Sequence, residues 1–278
     1  FMFPRYDLDA AFLRIYEQGK PAELKPWFAW SSEGIRENGL VFVSGHPGST
    51  SRGYTMAQLE FDRDVLLPWR LMTLFELRGV LTQFARSGAE ARRVAESLIF
   101  GVENSIKALR GMHEALGDAA LLQAKRRAED QLRTRAAADA KLEPQTRGAW
   151  ENVEKALQKY REFFIRYQVL EAGWRASTLM RHAVGLHRAV AELKLPNEKR
   201  LPEYTEARFP TLRAFLLSEA PVYDDLETAV LQLLFTRLRD ELGPDDPVSR
   251  DLFGGRDPAQ VAAELVKSTR VKDPAARR

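Results

Sequence analysis

From Thr55 onward, apolar residues recur at intervals of three and four, a period that restricts most of the chain to a helical architecture. Residues 56–87 carry Leu59, Leu66, Trp69, Leu74, Leu77, Leu81 and Phe84 in this rhythm, with Pro68 expected to kink the helix. Similar patterns cover about 89–115, 118–138, 147–193 and 223–242, with a short one near 258–267. Asp118 after Gly117 suits a helix start, and Gly243-Pro244 suits a helix end. The stretch 147–193 exceeds an average globular helix, which predicts a bundle with extended antiparallel members. Its charged residues, and those around Lys125, Arg126, Arg127, Glu129 and Asp130, are read as a solvated face.

Before Thr55 the pattern differs. Residues 7–16 alternate roughly and suit a strand, and Leu40-Val41-Phe42-Val43 is a short apolar run stopped by Ser44-Gly45-His46-Pro47-Gly48. The second run is expected to be a buried strand entering a tight loop. A chain of 278 residues with 45% hydrophobic residues can bury a sizeable core. Its 42 basic residues against 39 acidic ones leave a formal charge of +3, and the cations are spread along the chain, so no nucleic-acid partner is called for. The absence of cysteine excludes disulfides, thiolate metal sites and a cysteine nucleophile. No apolar run approaches the roughly 20 residues needed to span a bilayer. The start, Phe1-Met2-Phe3-Pro4, carries no export signal. It reads as the middle of a strand, and 272–278 as no natural terminus, so an internal piece of a longer chain is expected.

The loop Gly45–Arg52 lies where a phosphate loop would, but no Gly-Lys-Ser/Thr closes it, so a structural turn is preferred. The histidines are His46, His113, His182 and His187. The last two lie roughly 140° apart on a helix and cannot share a metal as an i, i+4 pair would. No metal and no cofactor is expected. A serine hydrolase needs a nucleophile, a base and an orienting carboxylate, yet neither Gly-x-Ser-x-Gly nor Gly-Asn-Ser-Gly occurs. Asp7 and Asp9 share one face of the first expected strand, where a solvated edge is the plain reading.

Three ordered motifs carry a resemblance. Phe3-Pro4-Arg5-Tyr6-Asp7-Leu8-Asp9-Ala10-Ala11-Phe12-Leu13-Arg14 resembles the Pro-Arg-…-Asp-…-Phe-Arg strand of the bacterial serine dipeptidyl-peptidases of the seven and eleven type. Leu40–Arg52 is similar to that family's segment leading into its helical domain, and Glu103-Asn104-Ser105-Ile106-Lys107-Ala108-Leu109-Arg110-Gly111 to its Asn-x-x-Lys-x-x-x-Gly helix. Phe1 stands where the family often has Trp, and Tyr6-Asp7-Leu8 where some members have His-Thr-Gly. The resemblance implies a mainly α fold: a helical-bundle cap domain, with a small β remnant of a chymotrypsin-like double barrel. Residues 1–54 would belong to the barrel, 55–270 to the cap, and 271–278 would begin the return to the barrel. It further implies an exopeptidase that releases dipeptides from the free N-terminus of oligopeptides, in the periplasm or at the cell surface. Such enzymes need no metal and are often homodimers, although no interface is identifiable in the sequence. Asp9 would be the catalytic aspartate of a His-Asp-Ser triad whose histidine precedes Phe1 and whose serine follows Arg278. Arg5 and Asn104 would bind substrate near its N-terminus. The rival reading is a non-catalytic helical module that binds a partner through an apolar groove.

Overall fold

Thr55 starts the helical part with a reciprocal cap: its hydroxyl accepts from Gln58 N–H, while the Gln58 side chain accepts from Thr55 N–H at 2.9 Å. The computed structural model describes residues 11–23, 27–45 and 51–278. The chain divides into two units, Phe1–Gly53 and Tyr54–Arg278.

In the second unit, α1 (Met56–Phe61) runs through a π-turn, Asp62–Leu66, into α2 (Leu67–Ala85). Pro68 lacks an N–H and its ring would crowd the carbonyl four residues back. The wider π-turn, with Leu67 N–H reaching Asp62 O, stands immediately ahead of it and takes the place of the expected kink. A three-residue turn leads into α3 (Ala89–Leu116), which packs on α2 through Leu77, Leu81, Ala95, Val102 and Ile106. Asp118 caps α4 (Ala119–Ala138), accepting from Ala120 and Leu121 N–H. Then come α5 (Glu143–Thr146) and α6 (Ala149–Tyr167).

The expected single element over 147–193 is broken. A second π-turn, Gln168–Ala172, and a 3₁₀ turn, Gly173–Ala176, separate α6 from α7 (Thr178–Glu192). A side chain on Gly173 would meet Gln168 O at 3.1 Å, so this tight junction favours glycine. After α8 (Phe209–Leu216) comes α9 (Asp224–Leu242), ending at Gly243 with φ 83°. The last three helices are α10 (Pro247–Phe253), α11 (Pro258–Ser268) and α12 (Pro274–Arg277). Each starts with Asp-Pro: Asp246, Asp257 and Asp273 cap, and proline takes a first-turn position where its missing N–H costs nothing.

Helix α9 is the centre of the packing. Its Leu226 and Val230 join the α2–α3 core, while Leu231, Phe235 and Leu238 join a second core with Leu179, Phe253, Val261 and Val266. A third cluster, Met56, Leu59, Leu67, Leu109 and Leu116, closes the start of the unit. Two buried charges on α9 fix its neighbours. Glu227, 5% exposed, accepts from Ser177 Oγ at 2.5 Å, Thr178 N–H at 2.9 Å and Leu179 N–H at 3.2 Å. It caps the start of α7 from another helix. Arg237, 8% exposed, donates to Glu76 of α2 at 2.5 Å and to Glu241 at 3.1 Å, with its guanidinium 5.2 Å from the Trp69 ring.

His182 is buried on α7, stacked on Phe215 at 4.5 Å with the rings 7° from parallel. Burial holds its pKa down to about 4, and the nearby Arg277 and Arg181 push it the same way. Arg277 itself is buried and donates to the carbonyls of Leu216, Ser218, Val271 and Lys272, tying α12 to the end of α8.

In the first unit, the expected strand over residues 7–16 reduces to Tyr16 among the described residues, and residues 1–10 lie outside them. Tyr16–Glu17 (β1) pairs antiparallel with Lys20–Pro21 (β2) across Gln18 and Gly19, at φ 51° and 77°. Leu40–Val43 is neither a strand nor buried: Leu40 and Phe42 are 85% and 91% exposed. Apolar content suits a strand, but a strand requires a partner for its backbone, and none pairs with this run among the described residues.

Two stability predictions follow from these buried groups. Glu227→Ala should destabilise the second unit by about 3 kcal/mol, because it leaves a buried hydroxyl and two backbone N–H groups without their acceptor. Urea unfolding of the two proteins reads the difference, and a loss below about 1 kcal/mol, the worth of an ordinary hydrogen bond, would contradict this account of the α7 start. For His182 the folded pKa of about 4 lies below the ordinary unfolded value. The unfolded chain therefore binds the proton first, and the stabilisation present above about pH 6.5 is lost as pH falls toward 4. Melting temperature should fall over that window, with a shallower fall in His182→Gln; parallel pH profiles would refute it.

Candidate functional site

Helix α3 buries Val102, Ile106 and Leu109 at spacings of four and three, which leaves Asn104 on its exposed side. Glu103 pairs with Arg78 of α2 at 3.7 Å, and Ser105 Oγ donates to Gly101 O at 2.8 Å. Farther along, His113 Nε2 lies 3.2 Å from Arg63 O in the first π-turn. Asn104 makes no side-chain hydrogen bond among the described residues, so its amide keeps both an acceptor oxygen and two N–H donors for another molecule. Arg5 and Asp9 lie outside the described residues, as does His46. Of the candidate site residues, Asn104 alone is described, and the structure therefore brings none of them together.

Beside Asn104 in sequence, Ser105 reaches the wall of a cavity of about 410 Å³. Its apolar wall is built by Trp69, Leu74 and Leu77 of α2 with Leu233 and Leu234 of α9. Polar groups come from Arg70, Thr73, Tyr167, Gln168 and Arg175. Both π-turns take part, through Leu66 in one and Gln168 and Ala172 in the other. Such wide turns re-aim side chains that a regular helix would point elsewhere. Gln168 is buried and donates to Tyr160 Oη at 3.1 Å. Burial raises the carboxyl pKa of Asp62, and the charge of Arg70 partly offsets that rise.

A larger cavity, about 590 Å³, lies along α9, α10 and α11 beside Arg239, Arg250, Arg256 and Asp257. Its charges are largely compensated: Arg239 pairs with Asp240 at 3.0 Å, and Arg256 is spent on Glu264 at 2.7 Å and the carbonyls of Phe253 and Leu252. Sequence periodicity pointed to neither cavity, since both depend on where the helices break.

No histidine is bonded to a serine or threonine hydroxyl among the described residues. His113 meets a backbone carbonyl, His182 is buried against Phe215, and His187 is exposed on another face of the same helix. Among the described residues no three His, Asp or Glu stand close enough to hold a metal ion, and no helix is long and apolar enough to cross a membrane.

Comparison with known proteins agrees with the family resemblance. An Asp/Glu-specific dipeptidyl-peptidase from Shewanella putrefaciens is 35% identical over 79 residues, a stretch covering 24% of this chain and 11% of that protein. The matched stretch is thus a small part of the relative. The description of the peptidase S46 family matches residues 1–278, and the chain belongs to that family.

Proposed function

We propose that the chain is the middle of a serine-type dipeptidyl-peptidase that releases dipeptides from the free N-terminus of oligopeptides, with its helical unit covering the active site. Family membership over the whole chain carries this reading. It is supported by the relative named as a dipeptidyl-peptidase and by the unengaged amide of Asn104 on α3.

In this reading residues 1–54 belong to a chymotrypsin-like double barrel. Asp9 orients the imidazole of a triad histidine and stabilises the imidazolium that forms as serine attacks, histidine and serine coming from the rest of the enzyme. The chemistry needs no metal. A helical cover excludes folded substrates and keeps water from the reacting groups. Its place is the periplasm or the cell surface, where oligopeptides are processed.

An exopeptidase must tell an ammonium from an internal amide, and the ammonium needs acceptors around it. Asn104 Oδ1 supplies one, while Arg5, a donor only, orients a substrate carbonyl or a neighbouring acceptor. Losing an acceptor to a charged, partly desolvated group costs about 1.5–3 kcal/mol. Asn104→Ala in the complete enzyme should lower kcat/KM on free N-termini by about ten- to a hundredfold, with a much smaller loss on N-acetylated peptides. Equal losses on both substrates, or none on either, would make Asn104 a plain helix-surface residue. The 278-residue chain alone, without a nucleophile–base pair, should release no fluorophore from a dipeptide substrate. Activity that survives repurification would reject the proposed division of the triad.

A further inference from the structure

The 410 Å³ cavity of the helical unit carries an electrostatic imbalance. Arg70 and Arg175 both line it, and among the described residues no aspartate or glutamate does. Several other arginines of this unit pair with carboxylates, among them Arg63 with Asp64, Arg126 with Glu60, Arg188 with Glu171 and Arg237 with Glu76. Arg70 and Arg175 have neither an ion pair nor a hydrogen bond among the described residues, and Arg70 acts on Asp62 only through its field. Two uncommitted guanidinium groups therefore sit on the wall of a chamber floored by leucines and Trp69. Its volume lies in the range of small-ligand sites, which join an apolar surface to a few polar anchors. Guanidinium binds carboxylate through two parallel N–H bonds and does so best beside a low-dielectric wall.

We propose that this cavity binds a peptide carboxylate: an apolar side chain enters between Leu74, Leu77, Leu233 and Leu234, while the carboxylate meets Arg70 and Arg175. That the ligand is a peptide rests on the dipeptidyl-peptidase reading above; the preference for a carboxylate rests on the cavity alone. The carboxylate comes either from the C-terminus of an oligopeptide or from an acidic side chain, and the cavity would hold the substrate at a point other than its N-terminus.

Calorimetric titration of the 278-residue chain tests this with three probes: the tripeptide Gly-Phe-Leu as free acid, the same peptide as C-terminal amide, and Gly-Phe-Glu-Leu as C-terminal amide. At least one acid-bearing peptide should bind at least about tenfold more tightly than the neutral amide. The first against the third probe tells a terminal from a side-chain carboxylate. Arg70→Gln and Arg175→Gln, both at exposed positions, should each weaken that binding about fivefold while leaving the melting temperature unchanged, and added salt should weaken it in the parent. Equal affinity for all three peptides, no binding at millimolar peptide, or affinity indifferent to both substitutions in folded variants would overturn the proposal. These outcomes are separable from those of the peptidase reading. A complete enzyme that releases dipeptides while the cavity ignores carboxylates rejects the cavity alone, and one that releases none rejects the peptidase reading whatever the cavity binds.

Discussion

The helical unit depends on one helix that buries opposite charges on two of its faces. Glu227 and Arg237 are ten residues apart on α9, about 15 Å along its axis and roughly 80° around it. Neither would be stable there unpaired, because a buried charge without partners costs several kcal/mol. Each is satisfied by a different neighbour: Glu227 by the start of α7, Arg237 by Glu76 of α2. Leucine contacts alone tolerate a helix sliding by a turn, since one apolar residue replaces another. The charges do not, because a slip would leave a carboxylate and a guanidinium buried and unmet, so register is set by polar groups while the leucines supply most of the driving force.

The same device recurs at the edge of the unit. Met56 N–H, at the open start of α1, donates to Glu129 of α4 at 2.6 Å, so that helix too is capped by a glutamate from another element. A helix start carries unsatisfied N–H groups and a positive dipole end, and a carboxylate answers both. In each case a sequence-distant acid replaces solvent at a helix end that packing has covered. Local capping and long-range packing thereby become one interaction.

That explains which parts of the fold were legible in the sequence. Of the helix starts with local caps, Asp118 was read as one and Thr55 only as the point where the helical period begins, while the Asp-Pro pairs at 246, 257 and 273 went unread although they carry the same signal. The break between α6 and α7 went unread, because apolar spacing continues through 168–176 and masks the local cap Ser177, whose hydroxyl accepts from Met180 N–H and donates to Glu227, fifty positions away. Leu40–Val43 misled for the opposite reason: its composition suits a strand, but strand pairing is decided elsewhere in the chain. Asn104 was singled out by motif resemblance, since a helix-surface asparagine has no distinguishing period of its own. The cavity was illegible because both of its π-turns shift side chains off the regular 100° progression.

Rigidity links this scaffold to the proposed recognition. A residue that measures the position of a substrate's N-terminus must be held to about 0.5 Å, or the scissile bond drifts from the nucleophile. An exposed asparagine gains no such precision from its own contacts, so the helix beneath it must supply it. On α3 the fully buried Ala95 lets α2 approach closely, Val102 and Ile106 lock the middle turns into the core, and Arg78–Glu103 ties the turn that carries Asn104 to α2. His113 adds an anchor at the far end, on the carbonyl of Arg63. Asn104 thus lies between fixed points on both sides. The side chain is unengaged while the turn that carries it packs on the core through Val102 and Ile106, an arrangement that suits the proposed discrimination between an ammonium and a blocked terminus.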